Sequence, residues 1–379
     1  MAKMKICLLA DSSFPPNEGG PSTIQLNLSR KLVEIGYEVY VVKYIKRKGI
    51  SNLIRYQLWK ISSGLHILNN DYDLVITSLW THQAGSRYIL RFLAKKPYII
   101  IVHGSDFFQS VYPNLVRSGF AYKLFAYYLE GAMKIIIDGS CGIVSTQEIF
   151  NYMSSFLKVD VGKYRLLNLI YDKNFIRDFK TSPPWEKGSV FHVLFYGRFH
   201  ESKGFMYLMN AIPMVVDHSK KVVFHLVGDG PLKEEAVRFV NEHNLQANVV
   251  FHGYIEHDKI TSFIQAADCV VNPITWGAGL GTVSYEVISQ RKPLILGNAN
   301  VTVSNLGDQY SCYLLVRPHD AEDLYRKIVM VMDNPEIVSR LVNNMDRFIK
   351  NELDEEAIRG KIMKIIDDSI AYYLTKRSV

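Results

Sequence analysis

The sequence has no uninterrupted apolar stretch of the roughly 18 to 20 residues that a membrane-spanning helix requires. Its first residues, Met-Ala-Lys-Met-Lys, lead directly into a short apolar run, so the pattern of a cleavable signal is missing. Fixed-period repeats and low-complexity tracts are missing as well. These absences argue against a spanning, exported or repetitive protein and predict a cytoplasmic one.

Cysteine is scarce, and no two cysteines form a Cys-x-x-Cys pair. Cys7, Cys141, Cys269 and Cys312 are widely separated and lie in largely apolar surroundings. This usage argues against a disulfide framework and gives no support for a structural zinc site. We therefore predict four buried free thiols, since free cysteine behaves as a small hydrophobic residue.

The length and composition exclude both a single small module and a disordered chain. The 379 residues exceed the roughly 250 to 300 at which one hydrophobic core stops growing, which predicts two domains. With 48% apolar and only 21% charged residues, the chain can bury a sizeable core.

The positive charge is concentrated in the first half of the chain. Residues 1–180 contain 23 Lys and Arg against 13 Asp and Glu, whereas residues 181–379 contain 21 against 24. Residues 39–70 carry six cations and no acid, interleaved with aromatic side chains, which predicts an anionic partner. We expect an anionic membrane surface rather than a nucleic acid, because no nucleic-acid-binding module accompanies the charge. A solvated basic loop, or a site for a soluble anionic acceptor, is the alternative. The cations are Lys43, Lys46, Arg47, Lys48, Arg55 and Lys60.

Short apolar, β-branched runs alternate with longer helical patterns in both halves, as in parallel sheets built from βαβ units. We predict an α/β fold with two Rossmann-like, doubly wound domains, at 1–180 and 190–355. A Pro- and Ser-containing break at 181–189 is the predicted linker. Residues 356–379 form an amphipathic helix with isoleucines three and four positions apart. The predicted strands are 5–10, 38–42, 74–78, 98–102, 142–146, 164–168, 191–196, 222–227, 248–251, 269–272, 293–296 and 313–316.

Unusual loops follow two strands of the first domain, at the ends where doubly wound folds bind ligands. The first contains Gly19 and Gly20 ahead of a helix, so its backbone N–H groups can approach an anion closely. It is too long and proline-rich for the G-x-G-x-x-G turn of dinucleotide-binding domains. The second contains His103 and Asp106, which suit the recognition of substrate hydroxyls. A plain helix-entry turn and a structural histidine are the alternatives.

Three loops of the second domain combine cations, glycines and a carboxylate. Arg198 and Lys203 follow the first strand and can neutralise a diphosphate without a metal, because Arg donates to two oxygens and Lys acts as a point charge. A solvated surface pair is the alternative. Residues 228–231, Gly-Asp-Gly-Pro, form a tight turn before another helix. Residues 276–286 place three glycines at a helix N-terminus, which favours phosphate, and end at Glu286, which can accept two ribose hydroxyls.

The order and spacing of these motifs resemble the retaining glycosyltransferases of the GT-B fold, family 4, also called glycosyl transferases group 1. The resemblance spans nearly the whole chain and implies two domains facing a central cleft, with the C-terminal helix crossing back to the first domain. It implies catalytic roles for His103, Arg198 and Lys203, and a contact of Asp106 with the acceptor or the sugar. It implies donor-binding roles for Gly19, Gly20, Gly228, Gly230, Tyr254, Ile255, Gly279, Leu280, Gly281, Thr282 and Glu286, with residues 251–255 near the nucleotide base.

The sequence departs from the family pattern at two places. The family has a Glu-x7-Glu motif whose second Glu matches Glu286, but Ala278 stands where the first Glu is expected. This change removes a side-chain contact to the donor sugar, so nucleotide binding should survive while sugar recognition is altered. Residues 168–172 also differ from the Asn-Gly-Val-Asp segment often found before the linker.

The resemblance implies a retaining, hexosyltransferase-type enzyme that moves a sugar from a UDP- or GDP-sugar to an acceptor hydroxyl. The expected acceptor is a lipid-linked or cell-surface glycan precursor, met at the inner face of the plasma membrane by a peripherally bound enzyme. No metal or other cofactor is expected. Asp71-Tyr72-Asp73 matches the Asp-x-Asp metal-binding motif of another glycosyltransferase fold, but it precedes strand 74–78 and so lies at the end of the strand opposite to where ligands bind. The alternatives are a GT-B epimerase or phosphorylase and, because of Ala278, a non-catalytic sugar-nucleotide-binding relative. A nicotinamide dehydrogenase is disfavoured by the missing glycine turn.

Overall fold

The computed structural model divides the chain into two compact units. The N-terminal unit comprises Met1–Tyr171 with Glu355–Val379, and the C-terminal unit comprises Asp172–Asp354. The linker predicted at 181–189 is described only in part and stays a prediction. The structure describes residues 3–10, 20–43, 62–78, 95–102, 119–145, 153–154, 157–166, 184–186, 188–256, 259–275, 281–298 and 311–377.

The N-terminal unit contains a parallel sheet of buried, β-branched strands. In the part of the chain that the structure describes, six strands pair in the order β2-β1-β3-β4-β5-β6. All of these pairs are parallel. The order reverses between β1 and β3, as in a doubly wound fold. The elements are β1 (Lys5–Ala10), α1 (Gly20–Ile35), β2 (Glu38–Lys43), β3 (Leu74–Ser78), β4 (Tyr98–Ile101), α2 (Phe120–Gly139), β5 (Gly142–Ser145) and β6 (Tyr164–Leu166).

The C-terminal unit repeats the plan with a second parallel sheet. Among its described residues, six strands pair in the order β12-β11-β10-β7-β8-β9, and the order reverses between β7 and β10. The elements are β7 (Phe191–Tyr196), α3 (Phe205–His218), β8 (Val222–Val227), α4 (Lys233–Glu242), β9 (Val249–Gly253), α5 (Ile260–Ala266), β10 (Cys269–Asn272), α6 (Gly281–Ser289), β11 (Leu294–Gly297), β12 (Leu314–Val316), α7 (Ala321–Asp333) and α8 (Pro335–Phe348).

These sheets confirm the predicted α/β fold of two Rossmann-like domains. The strand bounds differ from those predicted by at most two residues at either end. Two strands differ by two residues: β6, predicted at 164–168, is described to Leu166, and β9, predicted to end at Phe251, continues to Gly253. The extension follows an irregularity in the ladder, because Leu226 pairs with Phe251 while Val227 pairs with Gly253.

One core cluster of the C-terminal unit covers one face of its sheet. Val193 and Phe195 of β7 and Phe224 of β8 belong to this cluster, together with Leu208 and Ile212 of α3. Because side chains alternate across a strand, His192 and His225 lie on the opposite face. Burying each large apolar side chain contributes about 1.5 to 3 kcal/mol to folding, so this core holds the strand ends that carry the candidate site.

The last helix, α9 (Glu355–Arg377), packs on the N-terminal unit, as the resemblance implied. Its isoleucines join the core that α1 forms with the sheet. Tyr372 Oη donates a 2.6 Å hydrogen bond to Asp160, and together with the Gly162 amide this lowers the pKa of the Asp160 carboxyl. Arg165 donates to the carbonyl oxygen of Asp368 at 3.1 Å. The core isoleucines of α9 are Ile358, Ile362, Ile365 and Ile366.

Two further expectations concern cysteines and the Asp-x-Asp motif. All four cysteines are buried free thiols, as predicted. The carboxylate of Asp73 accepts a 2.7 Å hydrogen bond from the backbone N–H of Lys5, and Asp71 pairs with Lys96 at 3.4 Å. These contacts give both carboxylates a structural role beside the sheet. Within the described residues, no helix combines the length and the hydrophobicity needed to cross a bilayer.

We predict that Gly142→Ala weakens the packing of α9. A Cβ at this position of β5 would lie 2.3 Å from Ser369 Oγ, which is fully buried and hydrogen-bonded to Ile365. Overpacking of this kind costs about 1 to 3 kcal/mol of unfolding free energy, which urea denaturation would measure. Ser369→Ala should restore part of the loss.

Gly131→Ala is the matched control for this experiment. Gly131 lies on the exposed side of α2, and a Cβ there meets nothing within 4 Å. Alanine is the better helix former, so this variant should be neutral or slightly more stable. Equal stabilities of the Gly131 and Gly142 variants would contradict the close packing of α9 on β5.

Candidate functional site

The candidate site lies where the strand order of the C-terminal sheet reverses. Strands β7 and β10 are neighbours there, and the chain leaves them in opposite directions across the sheet. Doubly wound folds bind ligands at the carboxyl ends of such strands. Arg198 lies two residues beyond the end of β7, and Pro273 directly follows the end of β10.

A short turn that carries Lys203 is held against the end of β10. Residues Glu201–Lys203 form one 3₁₀ turn, and Gly204 follows with a φ of 67°. A Cβ on Gly204 would lie 1.8 Å from the carbonyl oxygen of Pro273, so only glycine fits this contact. Thr275 donates its backbone N–H to Ser202 at 3.1 Å and its hydroxyl to Glu201 at 3.1 Å. The turn and the strand end therefore form one rigid edge.

The Gly-x-Gly-Pro turn packs against the loop that carries Arg198. Gly228 has a φ of 135°, and a Cβ on it would lie 1.9 Å from the carbonyl oxygen of Gly197. A Cβ on Gly230 would lie 2.4 Å from the carbonyl oxygen of Phe199, whose N–H donates to Asp229 at 2.9 Å. Close packing of two backbones accounts for both glycines. Their direct contact with a donor stays a prediction.

The two predicted cations lie in this edge, and both are exposed. Arg198 lies between Gly197 and Phe199, the residues that the Gly-x-Gly-Pro turn contacts. Lys203 ends the 3₁₀ turn beside β10. Backbone contacts thus fix both Cα positions, while the side chains project from a surface that a ligand can reach. Such an arrangement suits the binding of an anion. The alternative is that Arg198 and Lys203 are two solvated surface cations.

Glu286 is the buried carboxylate of the site. It lies on α6, only 4% exposed, and its Oε2 accepts a 2.7 Å hydrogen bond from Tyr196 Oη. Burial raises the pKa of Glu286 to about 7, while the hydrogen bond from Tyr196 acts in the opposite direction. Helix α6 begins at Gly281, whose φ is 64°, with Thr282 next to it. A phosphate near these two residues would meet free N–H groups and the positive end of the helix.

The end of β9 presents an aromatic side chain to solvent. Gly253 ends the strand with a φ of 68°, and Tyr254 follows with 78% of its surface exposed. Gly228 donates its N–H to the carbonyl oxygen of Gly253 at 2.8 Å, so this strand end adjoins the Gly-x-Gly-Pro turn. An exposed ring at this edge fits the role that the resemblance implied for Tyr254 and Ile255 beside a base.

Sequence reasoning missed a chain of three histidines on three adjacent strands. His225 Nε2 lies 3.0 Å from His192 Nδ1, and His225 Nδ1 lies 2.9 Å from His252 Nε2. Trp185 stacks on His225 with a centroid distance of 3.6 Å and donates to the carbonyl oxygen of Ala266. Burial, followed by the adjacent His252 and His192, lowers the pKa of His225 to about 3, and burial also lowers the pKa of His252, so these two imidazoles stay neutral at pH 7. The sequence did contain a signal for this cluster, because each of the three apolar strands includes one histidine.

Sequence reasoning also missed Tyr196, the last residue of β7. Of the predicted donor-binding residues, the structure describes Gly228, Gly230, Tyr254, Ile255, Gly281, Thr282 and Glu286 in the C-terminal unit and Gly20 at the start of α1. Other predicted positions lie outside the described residues, namely Gly19, His103, Asp106, Gly279, Leu280 and the substituted Ala278. Most of the basic segment, 44–61, lies outside them too. Within the described residues, no group of three His, Cys, Asp or Glu could hold a metal ion.

Comparisons with known proteins extend these observations. Residues 190–334 match the profile of the family described as Glycosyl transferases group 1. The chain is 24% identical over 382 residues to an uncharacterised glycosyltransferase of Methanocaldococcus jannaschii, and this alignment covers 97% of this chain and 99% of that protein. It is 26% identical over 152 residues to the alpha-D-kanosaminyltransferase of Streptomyces kanamyceticus, and this alignment covers 40% of this chain and only 39% of that enzyme.

A solved structure supports the fold over the whole chain. The chain is similar to HepE of Anabaena in complex with UDP, with a TM-score of 0.70, 17% identity and coverage of 96% and 100% of the two chains. At this identity the likeness concerns the fold alone. Residues 190–334 of the chain are similar to the glycosyl transferases group 1 family, and the fold of the chain is GT-B. The resemblance drawn from the motifs is thus confirmed for family and fold, while the retaining mechanism and membership of family 4 stay predictions.

We predict that Glu286→Gln stabilises the ligand-free protein at high pH. The pKa of the native carboxyl lies above that of an unfolded glutamate, so the native state holds a proton that the unfolded state releases. The free energy of unfolding therefore falls as pH rises through the interval from the unfolded to the native pKa. Glutamine avoids this loss, and its advantage should grow by about 2 to 3 kcal/mol between pH 5 and pH 8.5.

Urea denaturation at the two pH values measures this difference. Glu322→Gln is the control, because Glu322 is exposed on α7 and its pairing with Arg326 is local. An advantage of Glu286→Gln that stays constant with pH would show that the buried carboxyl titrates as an ordinary glutamate.

Proposed function

We propose that this protein is a metal-independent retaining glycosyltransferase that moves a sugar from a UDP- or GDP-sugar to an acceptor hydroxyl. The observation that carries the proposal is the rigid edge at the end of β7 and β10, which holds Arg198 and Lys203, while Tyr196 at the end of β7 contacts the buried carboxylate of Glu286. This edge offers cations for a diphosphate and a carboxylate for a ribose. The match of residues 190–334 to the glycosyl transferases group 1 family and the fold shared with a structure in complex with UDP support the assignment.

The chemistry requires the edge to stabilise a leaving group. The bond between the anomeric carbon and the diphosphate oxygen breaks, and both electrons stay on the phosphate. The acceptor oxygen bonds to the same face of the sugar, and a phosphate oxygen of the leaving group takes the acceptor proton. Negative charge grows on the diphosphate, so Arg198 and Lys203 contribute most in the transition state.

Two alternatives to a transferase remain, one catalytic and one non-catalytic. A GT-B epimerase or phosphorylase would bind the donor with the same residues, and analysis of the products formed without an acceptor distinguishes them. A non-catalytic relative is the reading favoured by Ala278. Such a protein would bind a sugar nucleotide but neither hydrolyse nor transfer it.

We predict that Arg198→Ala and Lys203→Ala each lower turnover by roughly 10² to 10³, the scale of losing one preorganised donor to the transition state. Transfer from UDP-glucose and from GDP-mannose to a mixed glycan acceptor, with release of the nucleoside diphosphate, provides the measurement. The affinity for the intact donor should fall less than turnover, because much of the charge appears only as the bond breaks.

Lys220→Ala is the matched control for these variants. Lys220 is exposed and lies just before β8, at the opposite end of the strand from the candidate site. Its substitution should leave turnover unchanged. Parental turnover in folded Arg198 and Lys203 variants would refute the assignment of the diphosphate site.

We also propose a lipid-linked acceptor at the cytoplasmic face of a membrane. The N-terminal unit carries 25 Lys and Arg against 15 Asp and Glu, whereas the C-terminal unit carries 19 against 22. Helix α2 adds large apolar side chains that are 40% to 79% exposed on one face of the helix. Aromatic residues and cations together favour the interface of an anionic bilayer. The exposed apolar residues of this face are Phe120, Leu124, Tyr127, Tyr128 and Ile135.

We predict that the protein sediments with vesicles that contain anionic lipid at low salt. Binding should be lost with neutral lipid or high salt, because each basic residue near the surface contributes about 1 kcal/mol. The combined substitution Lys46→Glu, Arg47→Glu and Lys48→Glu should weaken binding strongly.

The control is the same change of charge on the C-terminal unit, in Lys220→Glu, Lys221→Glu and Lys259→Glu, all of which are exposed. This variant should sediment almost like the parent. A parent protein that stays in the supernatant at low salt would refute the membrane proposal and leave the transferase assignment intact.

A further inference from the structure

The hydroxyl of Tyr196 faces two acceptors at once. Its Oη lies 2.7 Å from Glu286 Oε2 and 3.2 Å from the carbonyl oxygen of Val283. A phenol carries a single hydrogen, so it can donate fully to only one of them. Tyr196 is the last residue of β7, and Glu286 and Val283 are one turn apart on α6. The contact therefore joins the two elements at the reversal of strand order.

We propose that Tyr196 is a positioning residue for donor binding, whose hydroxyl holds the carboxylate of Glu286 in its ionised form and turns to the Val283 carbonyl when Glu286 is protonated. This inference rests on the proposed function, since it assigns Glu286 to the ribose of the donor. It goes further by naming the group that keeps this carboxylate ready to bind.

Both protonation states of Glu286 have a satisfied hydrogen-bond arrangement. When Glu286 is ionised, Tyr196 donates to Oε2 at 2.7 Å, and a hydrogen bond to a charged acceptor is the stronger kind. When Glu286 is protonated, its hydroxyl can donate to Tyr196 Oη, and the phenol hydrogen turns to Val283. The ionised carboxylate accepts stronger hydrogen bonds from ribose hydroxyls than the protonated carboxyl does, because its oxygens carry the charge. The tyrosine thus favours the binding-competent state.

In the part of the chain that the structure describes, this hydroxyl donates to the carboxyl and lowers the pKa of Glu286, against the larger effect of burial. Strands β10 and β11 also pack against α6, and their sequences, Cys-Val-Val-Asn and Leu-Ile-Leu-Gly, contain no charged side chain. The pKa of the buried Cys269 thiol is raised, so that group is neutral. Phe348 of α8 contacts the ring of Tyr285, next to Glu286. Arg291, just beyond α6, is paired with Asp346.

The expected consequence is a specific pH dependence of donor binding. Burial places the pKa of Glu286 at about 7, and binding weakens as pH falls through that value because the carboxyl takes up a proton. Tyr196→Phe removes the hydrogen bond that lowers this pKa, so the midpoint should move up by roughly one pH unit. The variant should bind about fivefold more weakly than the parent at pH 7 and almost equally at pH 9.

Calorimetric titration with UDP-glucose and GDP-mannose from pH 5.5 to 9 measures this effect. Intact sugar nucleotides are used because their diphosphate does not titrate in that range. Infrared titration provides a second measurement without ligand, since the carbonyl band that Glu286→Gln abolishes reports the protonated carboxyl directly. Tyr207→Phe is the matched control, because Tyr207 on α3 bonds to His319 outside the site.

A double variant separates positioning from general damage. Glu286→Gln should bind weakly at every pH, and adding Tyr196→Phe to it should cause no further pH dependence. A uniform loss of affinity at all pH values in Tyr196→Phe, with an unshifted infrared midpoint, would overturn the inference while the proposed function stands. Absence of binding to either sugar nucleotide at any pH would overturn both.

Discussion

The candidate site depends on backbone approaching backbone without a side chain between. Gly204 lies against Pro273, Gly228 lies against Gly197, and Gly230 lies against Phe199, each at a distance that excludes a Cβ. These contacts join the ends of β7, β8 and β10 into one edge, and Gly228 extends it to β9 through the carbonyl oxygen of Gly253. Arg198 and Lys203 are long, flexible side chains, but their Cα atoms start from this rigid frame. Because the backbone is already fixed, only the two side chains would lose conformational entropy when an anion binds.

A second constraint is the buried carboxylate beside this frame. Glu286 raises the free energy of the native state when it ionises, and its hydrogen bond to Tyr196 offsets only part of that cost. A buried carboxyl with a raised pKa is typical of a binding site, where a ligand can supply hydrogen bonds to the ionised form. The histidine chain on the same sheet illustrates the opposite solution. His225 stays neutral and is hydrogen-bonded to His192 and His252 beneath Trp185, so its ring is buried without charge.

The sequence was sufficient for the sheets because strand formation there depends on local composition. Apolar, β-branched runs such as Phe191–Tyr196 and Val222–Val227 predicted strands with the bounds that the structure has. The end of β9 was not predictable, since it depends on an irregular pairing with β8. Helix α9 was predicted from its isoleucine spacing, but its attachment to the N-terminal unit followed only from the family resemblance. The contact of Ser369 with Gly142 explains that attachment physically.

The sequence by itself determined the class of fold and the resemblance to a family, and it singled out Arg198, Lys203 and Glu286 as candidates, because each strand and each motif is formed by residues close together in the chain. Only the tertiary structure decided what Glu286 contacts, since Tyr196 lies 90 positions away. It alone also decided why the Gly-x-Gly-Pro turn needs its glycines and that three separate histidines form one chain. The physical reason is the same in each case. Strand order and register bring together residues that are distant in the chain, and no local pattern encodes that pairing.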